Sequence, residues 1–506
     1  MDRQMTDEDV RLSPHAGRRW HNPAPMKALV SRALYLIHRW LGIATCLLVL
    51  MWFVSGLVML YVPFPKLTTE ERLPHLAPIA AEALRISPAA ALAACPGKFR
   101  SVRLAMVGAR PAYHFILDSG ACSAWTDTGE PLGPVSPETA QARARDFLGA
   151  TDVGPAEVIE RDQWTVYASY NAHRPLYRIA ANDAADSVIY VSPRSGEVLV
   201  DTTRFERGWN WIGTVLHWIY FTPLRSRGDS DTWRWIVMGL SFPALLAASS
   251  GLWLGLTRLR IVKRYPRGRI TPYRGTKRWH HLLGLTAGLF AFTWLLSGWL
   301  SVHPFGLLKL NGLPPGAARQ LAGGALRASD DLPLLQRQLA RAPGAREAEW
   351  FRFGGKDYLE ISTDTVKLRF DDQAAAAAPI LPETFAAAIR SIEKTAIASA
   401  ELIHAEDLYY YSRSTPRALP AVRVRLADPE ETTWYLDPAT GRILLRVDSA
   451  SRAHRWIFNA LHRLDFPPLG YSSAWTAVIT TLCLLGAMLA ASACVIGWRR
   501  TRQKKP

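Results

Sequence analysis

Apolar residues concentrate in four stretches, 34–62, 235–256, 280–303 and 474–498, each long enough to cross a hydrocarbon layer of about 30 Å. The pattern predicts four membrane-spanning helices. Two longer polar stretches lie between them, 63–204 and 304–450, each large enough for a small folded domain. Within these the hydrophobic period shortens to two. Tyr177 to Ala180 and Val188 to Val191 alternate, a turn follows at Ser192-Pro193-Arg194-Ser195-Gly196, and Glu197 to Val200 resumes the alternation. Proline pre-sets one turn dihedral and glycine supplies a positive φ, so this segment predicts a strand hairpin. A second hairpin is read at Trp434 to Leu436, Asp437 to Gly441 and Arg442 to Leu445. Residues 80–94, 137–148 and 383–395 have helical spacing. Each polar stretch is therefore expected to fold as a small α+β unit with an antiparallel sheet. Residues 205–224 and 454–469 have the amphipathic pattern of helices lying on a membrane surface. A loop is read at 313–332 and a tether at 371–379.

The second hairpin is one sign that the chain is written twice. His38, Gly42, Trp52, Ser55 and Gly56 return 242 residues later as His280, Gly284, Trp294, Ser297 and Gly298. Tyr190, Pro193, Gly196 and Leu199 return after 245 residues as Tyr435, Pro438, Gly441 and Leu444, and Trp211, His217, Phe221 and Pro223 as Trp456, His462, Phe466 and Pro468. Two offsets so close point to one duplicated unit. Each unit holds an even number of spans, so both run the same way through the membrane, related by a pseudo-twofold axis along its normal. Equivalent residues then share a depth: His38 is expected to face His280 or His281, and His217 to face His462.

Charge sets the orientation. The chain has 506 residues and a net charge of +17, but the positive residues are split among short segments beside the spans. The stretch 257–279 carries Arg258, Arg260, Lys263, Arg264, Arg267, Arg269, Arg274, Lys277 and Arg278 with no acid, and the tail 499–506 is equally one-sided. By the positive-inside rule these and the leader 1–33, expected to be disordered, lie in the cytosol, and both polar stretches lie outside. This distribution reads as topology and excludes a nucleic-acid reader, which would gather its charge on one folded face.

Histidines at matched depths are what a membrane haem requires. An ionisable side chain in a span is costly and usually functional. An imidazole can ligate iron through one nitrogen while its other N–H donates to a carbonyl, and helical bundles build cofactor sites from facing side chains. The expected cofactor is haem b, two per chain, with His38 and His280 or His281 holding one and His217 and His462 the other. His303, at the outer end of the third span, is a substitute outer ligand without a repeated counterpart. The plainer readings are interfacial histidines at helix starts and polar-edge histidines beside headgroups. His15, His21, His75, His114, His173 and His404 are isolated and read as solvated. Trp52 and Trp294 suit core packing or a haem face; the pairs Ser55-Gly56 and Ser297-Gly298, with Ser249-Ser250-Gly251 and Ser492, suit close helix approach. No His-Glu-x-x-His, Cys-x-x-Cys, phosphate-loop or dinucleotide pattern is present, so electrons would come from a separate cytosolic donor or from quinol. Cys46, Cys483 and Cys494 lie in spans; Cys95 and Cys122 share the first outer stretch and are candidates for a disulfide.

The Tyr-x-[Asp/Ser]-Pro-x-[Ser/Thr]-Gly-x-[Val/Ile]-Leu hairpins resemble PepSY domains. The span that starts His-x-x-x-Gly and carries Ser-Gly near its far end resembles the PepSY-associated transmembrane family, over about Leu34 to Trp498. The resemblance implies a membrane α-helical bundle of four spans in two pseudo-symmetric repeats, with two extracytoplasmic α+β PepSY-like domains, in the bacterial inner membrane with cytosolic termini. It also implies the activity of some members, haem-bearing reductases that take iron from ferric siderophores. Ser192 stands where the usual hairpin has Asp, and adjacent His280 and His281 leave the second-unit ligand open. Tyr170, Tyr409, Tyr410, Tyr411 and Arg413 are aromatic and basic candidates for an outer substrate cleft. Two other readings stand beside the reductase: a non-catalytic membrane protein whose outer domains bind peptides or restrain proteases, and a transporter, disfavoured because no span is broken and none carries a central carboxylate.

Overall fold

The computed structural model describes residues 24–149, 152–225, 230–412, 417–466, 469 and 472–502. Most of the leader, Arg413, Pro468 and the end of the tail lie outside the described residues.

The first spanning helix runs Ala24–Tyr61, so it starts inside the expected leader. The second runs Ser230–Arg258 and keeps its helical path through Pro243. The fourth runs Ser473–Arg502. The third is two helices, Gly275–Thr286 and Gly288–Ser301, meeting at 62°. The expectation that no span is broken is thus overturned, and with it one of the two arguments against a transporter. Gly284 and Gly288 flank the break, and the Thr286 hydroxyl donates back to the Leu282 and Leu283 carbonyls at 3.2 Å. Glycine and hydroxyl back-bonding bend a helix without proline. The first helix packs on the second and fourth; the first half of the third packs mainly on the fourth, and its second half mainly on the second.

Beyond the spans the described residues form fourteen strands in three antiparallel sheets. β4 (Glu157–Ile159), β5 (Leu176–Ala180), β6 (Val188–Val191) and β7 (Val198–Thr202) form one four-stranded sheet, and β11 (Ile397–Ile403), β12 (Ala421–Leu426), β13 (Thr433–Leu436) and β14 (Ile443–Val447) another. Both contain the expected hairpin. Gly196 (φ 69°) and Gly441 (φ 73°) occupy the left-handed turn position. Ser192 Oγ accepts from the Arg194 and Ser195 amides as Asp437 Oδ1 accepts from that of Ala439, so serine performs the aspartate's task.

The third sheet joins the two polar stretches. Its order is β10-β9-β8-β1-β2-β3, with β1 (Phe99–Val107), β2 (Arg110–Leu117) and β3 (Gly120–Trp125) from the first stretch and β8 (Glu347–Phe353), β9 (Lys356–Ser362) and β10 (Lys367–Phe370) from the second. β1 pairs with β8, Arg103 opposite Glu349. Val102, Leu104, Tyr113 and Phe115 bury one face of this sheet together with Ala348, Trp350, Leu359 and Ile361, a single core drawn from both stretches. Cys95 and Cys122 are disulfide-bonded beneath it, Cα atoms 5.7 Å apart.

Local expectations met mixed outcomes. Helices form at Pro137–Leu148 and Pro382–Glu393. Residues 80–94 are not one helix. The Arg85 and Ile86 amides bond to the Thr126 carbonyl, and Ser87 caps a fresh turn that starts at Pro88. Within 313–332 a helix spans Ala317–Ala322. The 371–379 segment is a packed turn whose Asp371 carboxylate accepts from the Gln373 and Ala375 amides.

Candidate functional site

The two amphipathic segments form helices from Arg204 to Trp218 and from Ser449 to Arg463, each with a π-helical turn, at Trp211–Val215 and Arg455–Ala460. Each ends on a left-handed residue, Ile219 (φ 53°) and Leu464 (φ 48°). A β-branched residue in that region is strained, so the exit from the helix is held by its surroundings. Trp233 Nε1 donates to the Trp218 carbonyl and Trp475 Nε1 to that of Arg463, clamping both ends alike. The result turns His217 and His462 inward against the first and third spans, away from any polar edge.

Four of the candidate histidines meet in two pairs. His38 and His280 lie with ring centroids 6.1 Å apart, and His217 and His462 at 6.3 Å. In all four, Nδ1 is engaged. His38 Nδ1 donates to the Ala247 carbonyl at 2.9 Å. His280 Nδ1 lies 2.9 Å from Ser492 Oγ, whose own proton goes to the Leu489 carbonyl. His217 Nδ1 lies 3.0 Å from Ser55 Oγ, which donates to the Trp52 carbonyl. His462 Nδ1 lies 3.1 Å from both the Trp294 carbonyl and Ser297 Oγ, which donates to Thr293. A carbonyl, or a hydroxyl that has spent its proton, can only accept. His38 and His462, each facing a carbonyl, therefore carry the proton on Nδ1 and keep the Nε2 lone pair; His217 and His280 do the same when their serine hydroxyls donate to the helix behind them, and no described residue hydrogen-bonds to any of the four Nε2 atoms.

Glycines make room for the rings. A Cβ at Gly251 would stand 2.6 Å from His38 Cε1, and one at Gly56 or Gly298 would stand 3.3 Å from Cε1 of His217 or His462. The small residues read as helix contacts are seats for imidazoles. Trp52 Nε1 donates to the His217 carbonyl at 3.0 Å, while Trp294 packs against Phe53.

The remaining candidates stand apart. His281 is buried with Nε2 donating to the Gly255 carbonyl at 2.9 Å, its ring against Tyr273 and its Nδ1 without a hydrogen-bond partner among the described residues; no described ring contact joins it to His38. His303 sits at φ 52° beyond the third span, and Arg234 donates to its carbonyl; no described contact joins it to His217 or His462. His114 and His173, read as solvated, are not. His114 is 4 % exposed and bonded to Ser123, and His173 bonds to Ser192. Tyr410 is core, stacked on Tyr435 with its hydroxyl donating to Ala418.

Two imidazoles on one metal, each nitrogen about 2.0–2.1 Å away, put their ring centroids about 6 Å apart. Both pairs meet that spacing with Nε2 unprotonated. Among the described residues no group of three or more His, Cys, Asp or Glu could hold a metal ion. A porphyrin supplies four of the iron's six ligands itself, so two facing imidazoles are a donor set that fits a haem.

The model of the family described as PepSY-associated TM region matches residues 35–392. The chain belongs to that family. No curated protein matches the chain. The PepSY-associated TM match takes in His38, His217, His280, His281 and His303 and ends before His462. The fourth span and the second hairpin of this PepSY-associated TM protein thus lie beyond the matched region, and their likeness to the first half rests on the residues themselves. With three helices among the described residues long and apolar enough to cross a membrane, or four counting the bent pair, the protein is a multi-pass membrane protein. What sequence reading missed were the Nδ1 partners. Their signal was Ser55 and Ser297, each 17 residues after a matched histidine.

Proposed function

We propose that the protein is an inner-membrane electron carrier holding two b-type haems, one between His38 and His280 and one between His217 and His462, in two repeated halves related by a pseudo-twofold axis. The observation that carries this reading is the pair of facing imidazoles whose Nδ1 atoms are all committed to acceptors. A haem held by these imidazoles would supply one-electron transfer. The chain's residues do the rest. Ala247, Ser492, Ser55 and Ser297 fix each tautomer and raise the basicity of Nε2. The rise from His38 to Ser55 along the first helix is about 25 Å, so the two pairs stand near opposite faces of a hydrocarbon layer of about 30 Å.

Basic residues mark one end of the spans: Arg258 closes the second helix, and Arg499, Arg500 and Arg502 close the fourth. That end is cytosolic in this reading, with both termini, and the sheets are periplasmic. Electrons from a cytosolic donor or quinol would leave on the sheet side. Ferric iron in a siderophore as the acceptor rests on the family resemblance alone.

The test is a dithionite-reduced minus oxidised visible spectrum of purified protein with haem quantified per chain. Low-spin b-type bands and about two haems are expected. His38→Ala and His280→Ala should each remove one, and His281→Ala none. A featureless spectrum would sink the electron-transfer reading and return the non-catalytic one.

A further inference from the structure

The face of the six-stranded sheet opposite its core is polar and covered. Arg103 on β1, His114 on β2, Glu347 and Glu349 on β8 and Glu360 on β9 alternate with the core residues of the same strands and floor a cavity of about 280 Å³. Four of them form one row across the sheet: Arg103 is opposite both His114 and Glu349, and Glu349 is opposite Glu360. Most charges in the cavity are answered. Glu347 pairs with Arg72 (2.7 Å) and Arg103 (2.8 Å), and Glu349 pairs with Arg442 (2.7 Å). The two ends of the row are answered less fully. At one end, His114 Nε2 is buried without a hydrogen-bond partner among the described residues, as is Nη1 of Arg72 beside Glu347. At the other, Glu360 is buried with a single ion pair, at 3.5 Å, to the exposed Lys367.

A buried polar atom without a partner calls for an explanation, and inside a cavity a bound group supplies one. The row sets its two bases, His114 and Arg103, at one end and its two acids, Glu349 and Glu360, at the other, so neither a bare anion nor a bare cation suits the cavity. We propose that it binds a small zwitterion, its carboxylate at His114 and its ammonium at Glu360. The proposal is independent of the haem reading. Three strand spacings separate His114 from Glu360, about 14 Å; a hydrogen bond of about 3 Å at each end leaves about 8 Å between the ligand's charges. That is the span of an ω-amino acid or a very short peptide.

Calorimetric titration of the full chain in detergent tests this with triglycine and 6-aminohexanoate, and with N-acetyltriglycine and triglycinamide, which lack one charge each. At least one of the two zwitterions should bind saturably, and each blocked peptide about tenfold or more weakly. Binding of triglycine alone would assign a peptide, and binding of both a zwitterion whatever its backbone. Glu360→Gln should weaken the zwitterion while leaving N-acetyltriglycine unchanged. Failure of both zwitterions at millimolar concentration, or N-acetyltriglycine binding as tightly as triglycine, overturns the proposal. The blocked peptides decide it even if the substituted chain fails to fold.

Discussion

At the scale of single residues, protonation is set by what surrounds each imidazole. The serines at 55 and 297 accept from Nδ1 because their own protons are committed to the helix behind them. Replacing Ser55 by Ala should leave the fold intact and lower haem affinity by about 10- to 100-fold, read by competition with a haem scavenger. His114 tells a different story outside the membrane. Burial pushes it down from 6.5 to about 4; among its neighbours Glu197 and Glu347 raise it, and Arg103 and His173 lower it. An unfolded chain takes up that proton as pH drops through 6.5, while the folded one waits until about 4. Stability present above 6.5 is therefore lost by about 3 kcal/mol across that window. Glu197 acts in the same direction at lower pH. Burial would raise it, but Arg103, His114 and Arg72 hold it well below the usual carboxylate range. Melting midpoints should fall from pH 7 to pH 5, and fall less in His114→Asn. The haem-pair candidates were legible because they recur at matched positions. His114 was not, since one histidine in a strand carries no mark of its burial.

At the scale of elements, what mattered was where helices allow a ring to enter. Gly251 on the second span faces His38 so closely that Gly251→Leu should expel the imidazole and leave one haem per chain, as counted from the same spectra. Hydropathy revealed the spans because twenty or so apolar residues have few other fates. It could not reveal the 62° bend at Ala287, which comes from Gly284, Thr286 and Gly288 and not from a proline. The 80–94 stretch misled for the opposite reason. Its alanines favour helix, but Ser87-Pro88 starts a new turn and the preceding amides are taken by Thr126.

At the scale of the molecule, the six-stranded sheet decides how the halves meet. Pairing between Arg103 and Glu349 spans 246 residues, and no local pattern announces such a partner. The hairpins arrive with matching charges: Glu197 meets Arg103 at 2.5 Å, and Arg442, 245 residues later, meets Glu349 at 2.7 Å. Two copies of the first half would bring Arg103 against Arg103, and two copies of the second would oppose Glu349 to itself. Like charges directly opposite in a ladder are destabilising, so the swap favours unlike halves.

That arrangement makes the polypeptide bipartite. Severed in the basic stretch between Arg258 and Gly275, it would become two subunits that need one another. Each imidazole pair takes one ring from each, and each piece alone would leave β1 or β8 as a bare edge. Coexpressed from separate genes, with a purification tag on one piece, the two should copurify one to one and carry haem; either piece alone should carry none.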